Sequence, residues 1–136
     1  MTTAPAPRGS WLLAGLFATS GVLHFVRPEV FEAIVPRPLP RKRDLVHVSG
    51  AAELLCAFGL AHPRTRAVAG LASAVLLAAV LPANMQMALD ASRRRSGLVT
   101  AVAFARLPLQ VPLMRIGWRA WQSRTPSGAD GAQEGV

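Results

Sequence analysis

A single carboxylate, Glu53, lies in the middle of an apolar segment of the sequence. From 45 to 61 the chain runs for 17 residues in which Glu53 is the only one with a formal charge. This length is near the lower limit for a helix that crosses the roughly 30 Å hydrocarbon core of a bilayer. Because an ionisable side chain is costly at that depth, its presence favours a proton site or a ligand site.

Polar side chains interrupt the other apolar segments too. With a rise of about 1.5 Å per residue, Glu53 and Arg106 each lie about 14 Å from the same side of the membrane, Asn84 about 9 Å and His24 about 4 to 5 Å. An unpaired charge in lipid is unfavourable, so we predict an ion pair between Glu53 and Arg106. Gln110, one turn beyond Arg106, extends this predicted polar cluster. The alternative, in which these residues only hold helices together, stays open.

The sequence offers little support for other kinds of site. It contains no nucleophile motif, phosphate-binding loop or metal-ligand spacing, so we assign no catalytic residue and no metal site. Cys56 is the only cysteine, which excludes an intrachain disulfide and a Cys-x-x-Cys redox pair. We interpret His47 and Cys56 as interface and packing residues. Any redox role would therefore need a cofactor or a partner protein.

The composition indicates an integral membrane protein. Of the 136 residues, 51% are hydrophobic and only 16% are charged, which is more apolar than a typical soluble domain. The net charge of +8 comes from basic residues that fall mostly between the apolar segments. This arrangement favours contact with the anionic headgroups of a lipid bilayer, and we predict no nucleic-acid partner because no nucleic-acid motif is present.

Four apolar segments must position the polar residues, and we predict an all-α bundle of four transmembrane helices within residues 11–121. The predicted spans are 11–26, 45–61, 67–83 with an apolar pattern that continues to Leu89, and 98 to about 118. Pro82 and Asn84 are expected to interrupt the third span, and Pro108 and Pro112 to kink the fourth. The third span also carries a face of small residues for close packing, at Gly70, Ala74 and Ala78.

The connecting segments complete the predicted domain organisation. Pro28 opens a short amphipathic helix that continues to Val35 and lies at the membrane interface between the first two spans. A second basic loop is expected at 90–97, with a flexible N-terminus at 1–10 and a disordered tail at 122–136. A cleaved signal peptide is the alternative for the first span, but the apolar pattern continues past its cleavage site.

Charge asymmetry between the loops predicts the orientation of a multi-pass protein of the cell membrane. With four spans, eight basic residues lie on the side of the 27–44 and 90–97 loops and six on the side of the termini. The positive-inside rule then places both termini outside.

The order of several motifs resembles that of a known family. The motifs are Gly21-x-x-His24-Phe25-x-x-Pro28-x-x-Phe31, Ser49-Gly50-x-x-Glu53, Pro82-Ala83-Asn84 and Arg106-Leu107-Pro108-x-Gln110. Between Gly21 and Trp118 the chain resembles the DoxX-like family of small four-helix membrane proteins. Some of those proteins are linked to quinone-reducing sulfur oxidation or to membrane redox complexes, so the resemblance implies a quinone as cofactor and a redox partner protein. A related branch carries paired cysteines, which are absent here.

Three functions remain open at this stage. The first is an accessory, non-catalytic subunit of a membrane redox system with a ligand near Glu53, Arg106 and His24, either alone or as a homo-oligomer. The second is a small proton-coupled transporter or permease in which Glu53 titrates. The third is a membrane enzyme that uses the same cluster for acid–base chemistry, and no sequence motif supports it.

Overall fold

The regular secondary structure of the described residues consists of helices. A computed structural model describes residues 7–93 and 97–123, and these residues form helices and no strand. The helices are α1 (Arg8–Val26), α2 (Pro28–Glu32), α3 (Lys42–Ala61), α4 (Arg66–Arg93) and α5 (Gly97–Gln122). The predicted all-α class is confirmed.

Three of these helices, α1, α3 and α4, are long and apolar enough to cross a membrane by length and composition. Large apolar side chains on their outer faces are exposed, among them Val48, Leu55 and Phe58. A soluble domain rarely leaves so extensive an apolar surface uncovered. Length, composition and surface are thus compatible with a membrane protein.

The helix boundaries follow from local chemistry at the loops. Pro28 occupies the first turn of α2, where its missing N–H is no loss. Before α3, Arg41 has a left-handed backbone with φ of 50°, which turns the chain into the helix. Between α3 and α4, the Thr65 hydroxyl donates to the Gly59 carbonyl at 2.9 Å and Arg66 Nε donates to the Leu60 carbonyl at 3.1 Å. These bonds satisfy carbonyls that the end of α3 leaves free.

Several predicted boundaries were wrong. Helix α1 begins at Arg8, so it includes part of the segment predicted to be flexible, whereas residues 1–6 lie outside the described residues. Helix α2 ends at Glu32 and not at Val35. Helix α4 continues through Pro82 to Arg93, which shortens the predicted 90–97 loop, of which residues 94–96 are not described. Helix α5 includes Pro108 and Pro112, as the predicted fourth span did, and ends at Gln122. Residues 124–136 of the predicted tail are not described.

The four long helices pack as two pairs. Helix α1 packs most extensively on α3 and α4 on α5, while α3 and α4 join the pairs. The core between them contains buried side chains from all four long helices, including Leu13, Phe17, Leu60, Leu77 and Ala120. The cavity described below lies at the end of this core where α2 covers the helices.

Glycines allow the close approach of helices within each pair. A Cβ atom added to Gly50 would lie 2.5 Å from His24 Cβ and 3.1 Å from the Gly21 carbonyl oxygen. In the other pair, a Cβ atom on Gly117 would lie 2.6 Å from the Gly70 carbonyl oxygen. Gly70 thus belongs to a close-packed face, as predicted, whereas Ala78 on the same predicted face is exposed. The first crossing fixes the position of His24.

Candidate functional site

A cavity of about 360 Å³ lies beneath α2. Side chains of α1, α3 and α4 and of the segment after α2 form most of its wall, and α5 contributes Arg106. The wall is predominantly apolar, and its polar side chains are His24, Ser49, Glu53, Asn84 and Arg106. The structure therefore brings four of the five residues of the predicted polar cluster to one cavity, while Gln110 lies outside its lining.

His24 is held in one orientation. Its Nδ1 lies 2.8 Å from the Ser20 carbonyl oxygen one turn earlier in α1. Because a carbonyl oxygen only accepts, Nδ1 carries the hydrogen of this bond. The ring also stacks on Phe31 of α2, with centroids 3.7 Å apart. This arrangement leaves Nε2 without a hydrogen bond to any other described residue.

Glu53 is a buried carboxylate beside this histidine. The residue is 8% exposed, and its Oε2 lies 3.6 Å from His24 Nδ1. That distance permits electrostatic attraction but is too long for a hydrogen bond. Among the described residues, Oε2 has no hydrogen-bond partner. Such a buried, unsatisfied acceptor is unusual in a folded protein and calls for an explanation.

The predicted direct ion pair between Glu53 and Arg106 was wrong. No ion pair within 4.0 Å joins them in the described part of the chain, and Glu53 Oε2 instead lies 3.6 Å from His24 Nδ1. Arg106 is exposed and lines the same cavity, from which it attracts Glu53 over a longer distance. Two residues at equal depth on different helices need not touch, because contact also depends on the direction in which each residue faces around its helix axis.

Asn84 and Gln110 form a second buried polar contact. Asn84 Nδ2 donates to Gln110 Oε1 at 3.1 Å, and Gln110 Nε2 donates to the Leu77 carbonyl oxygen. Both side chains are buried, at 8% and 3% exposure. Gln110 therefore links α4 to α5 outside the cavity lining. It does not extend the polar cluster from Arg106, as the sequence had predicted.

Sequence reasoning missed the residues that cover the cavity. Phe31 belongs to the quoted motif but was not assigned to the site, and Ile34, Val35 and Leu39 come from a segment of irregular structure. The available signals were their apolar character next to a proline-rich loop and the presence of Ile34-Val35-Pro36 and Leu39-Pro40 among the motifs that resemble DoxX-like proteins. His47 stacks on Phe25 with centroids 5.3 Å apart, which agrees with its interpretation as a packing residue.

The site has no arrangement for a metal ion within the residues that the structure describes. There, no group of three or more His, Cys, Asp or Glu residues is close enough to hold one. Cys56 is buried in the core between the helices. The residues available to a ligand are therefore hydrogen-bonding groups on an apolar wall.

Comparison with known proteins places the chain in a family. A family model described as a domain of unknown function (DUF8561) matches residues 13–121. No curated protein and no solved structure matches the chain. The match includes every polar residue of the cavity, and the resemblance to DoxX-like proteins stays a prediction.

Proposed function

We propose that this chain, which belongs to the DUF8561 family of domains of unknown function, is a multi-pass protein of the cell membrane that binds an amphipathic ligand beneath α2. The cavity carries the proposal. Its volume is within the range of small-molecule sites, and it combines apolar walls with a few convergent polar groups. We assign the protein the role of an accessory subunit in a membrane redox system, without catalytic activity of its own.

The proposed topology has four spans, with α5 as the fourth and α2 at the interface. Helix α5 packs extensively on α4, and its exposed side chains include Phe104, Leu109 and Val111. Arg106, its central charge, lines the cavity. An intramembrane arginine that faces a cavity avoids most of the cost of contact with lipid tails.

Cysteine labelling tests this topology. In a Cys56→Ala background, Arg64→Cys and Ser123→Cys are expected to react with a membrane-impermeant maleimide added to intact cells, and Lys42→Cys is expected to react only after permeabilisation. Four spans place the first two positions outside by the positive-inside rule. If Ser123→Cys reacted together with Lys42→Cys, α5 would not cross the membrane. If all three patterns were reversed, only the orientation would be wrong.

The chemistry of the cavity supports a quinone-type ligand. A substituted ring fits the apolar walls. The carbonyl oxygens of a quinone can accept from the Arg106 guanidinium and the Ser49 hydroxyl, and the hydroxyls of its reduced form can also donate to Glu53 and Asn84. The DoxX-like motifs imply the same ligand class, and four of those motifs contribute one residue each, namely His24, Glu53, Asn84 and Arg106. The redox partner would then be a protein that exchanges electrons with the bound ring, since the chain has no paired cysteines of its own.

Calorimetry with a short-chain benzoquinone tests the proposed function. Wild-type protein in lipid nanodiscs is expected to bind the probe saturably, and Ala83→Phe, which fills the cavity, is expected to weaken binding at least tenfold, about 1.4 kcal/mol. Ala78→Phe is the matched control, because Ala78 lies on the same helix but is exposed and outside the cavity lining. Equal binding by both variants would place the probe elsewhere. Saturable binding of neither the quinone nor its reduced form would contradict the proposed ligand class.

One observation favours a second candidate, a proton-coupled transporter. Glu53 Oε2 is buried, has no hydrogen-bond partner in the described residues and lies next to a histidine. Intramembrane carboxylates of this kind occur in proton pathways. Proton uptake into proteoliposomes under an imposed membrane potential would be above the protein-free rate in this case and would be lost in Glu53→Gln. A rate equal to that of protein-free vesicles would contradict transport of protons alone.

A further inference from the structure

Two backbone carbonyls decide which hydrogen-bonding atoms remain for a ligand. The Ser20 carbonyl takes the hydrogen of His24 Nδ1, so the other ring nitrogen, Nε2, is an acceptor whenever the imidazole is neutral. On the opposite wall, the Leu77 carbonyl takes a hydrogen from Gln110 Nε2. That bond fixes the orientation of the Gln110 amide.

The orientation of Gln110 determines the orientation of Asn84. With its nitrogen on Leu77, Gln110 presents its oxygen to Asn84, and this oxygen accepts from Asn84 Nδ2 at 3.1 Å. The Oδ1 atom of Asn84 is then left without a hydrogen bond to another described residue. Since Asn84 lines the cavity, it adds a second free acceptor to that of His24.

Glu53 supplies a third acceptor. Its Oε2 has no hydrogen-bond partner among the described residues, although more than nine-tenths of the residue is buried. Three acceptors without donors thus surround one cavity, on α1, α3 and α4. An unmet buried acceptor costs about 1 to 3 kcal/mol, which a ligand with donor groups would recover.

The charged side chains at the cavity disfavour a charged ligand. An ammonium ligand could donate to Glu53, but the Arg106 guanidinium lines the same cavity and the chain carries a net charge of +8. An anionic ligand would meet the Glu53 carboxylate. A neutral ligand with O–H groups satisfies the acceptors without either repulsion.

We propose that the cavity recognises its ligand by donated hydroxyl hydrogens, and therefore binds an aromatic hydroquinone in preference to the corresponding quinone. This inference rests on the proposed function and adds the redox form of the ligand. A quinone offers only carbonyl acceptors, which could accept from Arg106 and Ser49 but would leave the acceptors of His24, Glu53 and Asn84 without donors. A hydroquinone of the same size offers two O–H donors.

Three probes with one ring test the proposal: a short-chain benzoquinone, its hydroquinone and the dimethyl ether of that hydroquinone. Titration calorimetry with wild-type protein in nanodiscs, without oxygen, is expected to give at least tenfold tighter binding of the hydroquinone than of the other two. The ether separates hydroxyl donation from redox state, because it is reduced but donates no hydrogen. Glu53→Gln, which adds amide donors to the cavity, is expected to reduce the preference, and Glu29→Gln on the exposed face of α2 is the matched control.

The outcomes distinguish the preference for a hydroquinone from the proposed quinone-type ligand class. Equal affinities, or tighter binding of the quinone, would overturn the inference and leave the proposed function standing. Tight binding of the dimethyl ether would also overturn it, because donation would then not be the basis of recognition. Binding of none of the three probes would remove both the inference and the proposed ligand class.

Discussion

Gly50→Ala is expected to destabilise the protein by about 1 to 3 kcal/mol, the range for overpacking at a close contact. The new methyl group would lie 2.5 Å from His24 Cβ and 3.2 Å from Phe25 Cε2. His24 Cβ is attached directly to the α1 backbone, so no flexible side chain can move aside. The helices must separate, and the better helix propensity of alanine returns at most about 1 kcal/mol. Thermal unfolding in nanodiscs measures the change.

Gly15→Ala is the matched control for this crossing. It makes the same substitution in α1, at an exposed position where an added Cβ has no heavy atom within 4 Å. The same propensity difference is present there without the steric conflict, so we expect a neutral or slightly stabilising effect. Comparable losses for both variants would show that α1 and α3 do not cross at Gly50. Because His24 moves with the crossing, Gly50→Ala should also weaken ligand binding.

Gln110→Leu is expected to cost about 1 to 2 kcal/mol, because it removes one bond to Asn84 and one to the Leu77 carbonyl. Gln86→Leu on α4 makes the same change at a half-buried position, where the side chain has no hydrogen bond to another described side chain. Its effect on the unfolding temperature should be the smaller one. The double variant Gln110→Leu with Asn84→Leu should lose less free energy of unfolding than the two single variants together. When both side chains are replaced, neither leaves a buried polar partner without its hydrogen bond. A strictly additive loss would contradict the contact.

The sequence was sufficient to predict the helices and most members of the polar cluster. Apolar segments of bilayer length, separated by charged turns, predict helices directly, because their backbone groups must pair within the segment. The same counting placed His24, Glu53, Asn84 and Arg106 toward one side, and the structure brings them to one cavity. The depth of a residue in the membrane can be estimated from the rise per residue alone, without knowing how the helices pack.

Partners within the cluster could not be predicted from depth alone. Glu53 contacts His24 and not Arg106 because α1 and α3 meet at Gly21 and Gly50, and the sequence does not state which helices are neighbours. The Asn84 contact was missed for a different reason. Ending the third span at Asp90 gave Asn84 a depth of about 9 Å, whereas counting from Arg93 gives about 14 Å, closer to Gln110.

Pro82 was given too much weight as a helix breaker. Helix α4 continues through Pro82, whereas α5 includes Pro108 and Pro112 as the predicted fourth span did. Pro82 leaves the Ala78 carbonyl without its helical N–H donor, and Gln110 bonds to the carbonyl of Leu77, the neighbour of Ala78 in the same turn. The cover of the cavity was beyond prediction, because Leu39 belongs to a loop whose path depends on the packing of α2 against α3.

Native mass spectrometry of the gently extracted protein tests most directly whether this cavity is a ligand site. Wild-type protein and Ala78→Phe are expected to retain one bound small molecule with the mass of a quinone or hydroquinone, and Ala83→Phe is expected to lose it. Equal retention by Ala83→Phe, or spectra in which wild-type protein carries only phospholipid, would contradict a ligand site formed by His24, Glu53, Asn84 and Arg106.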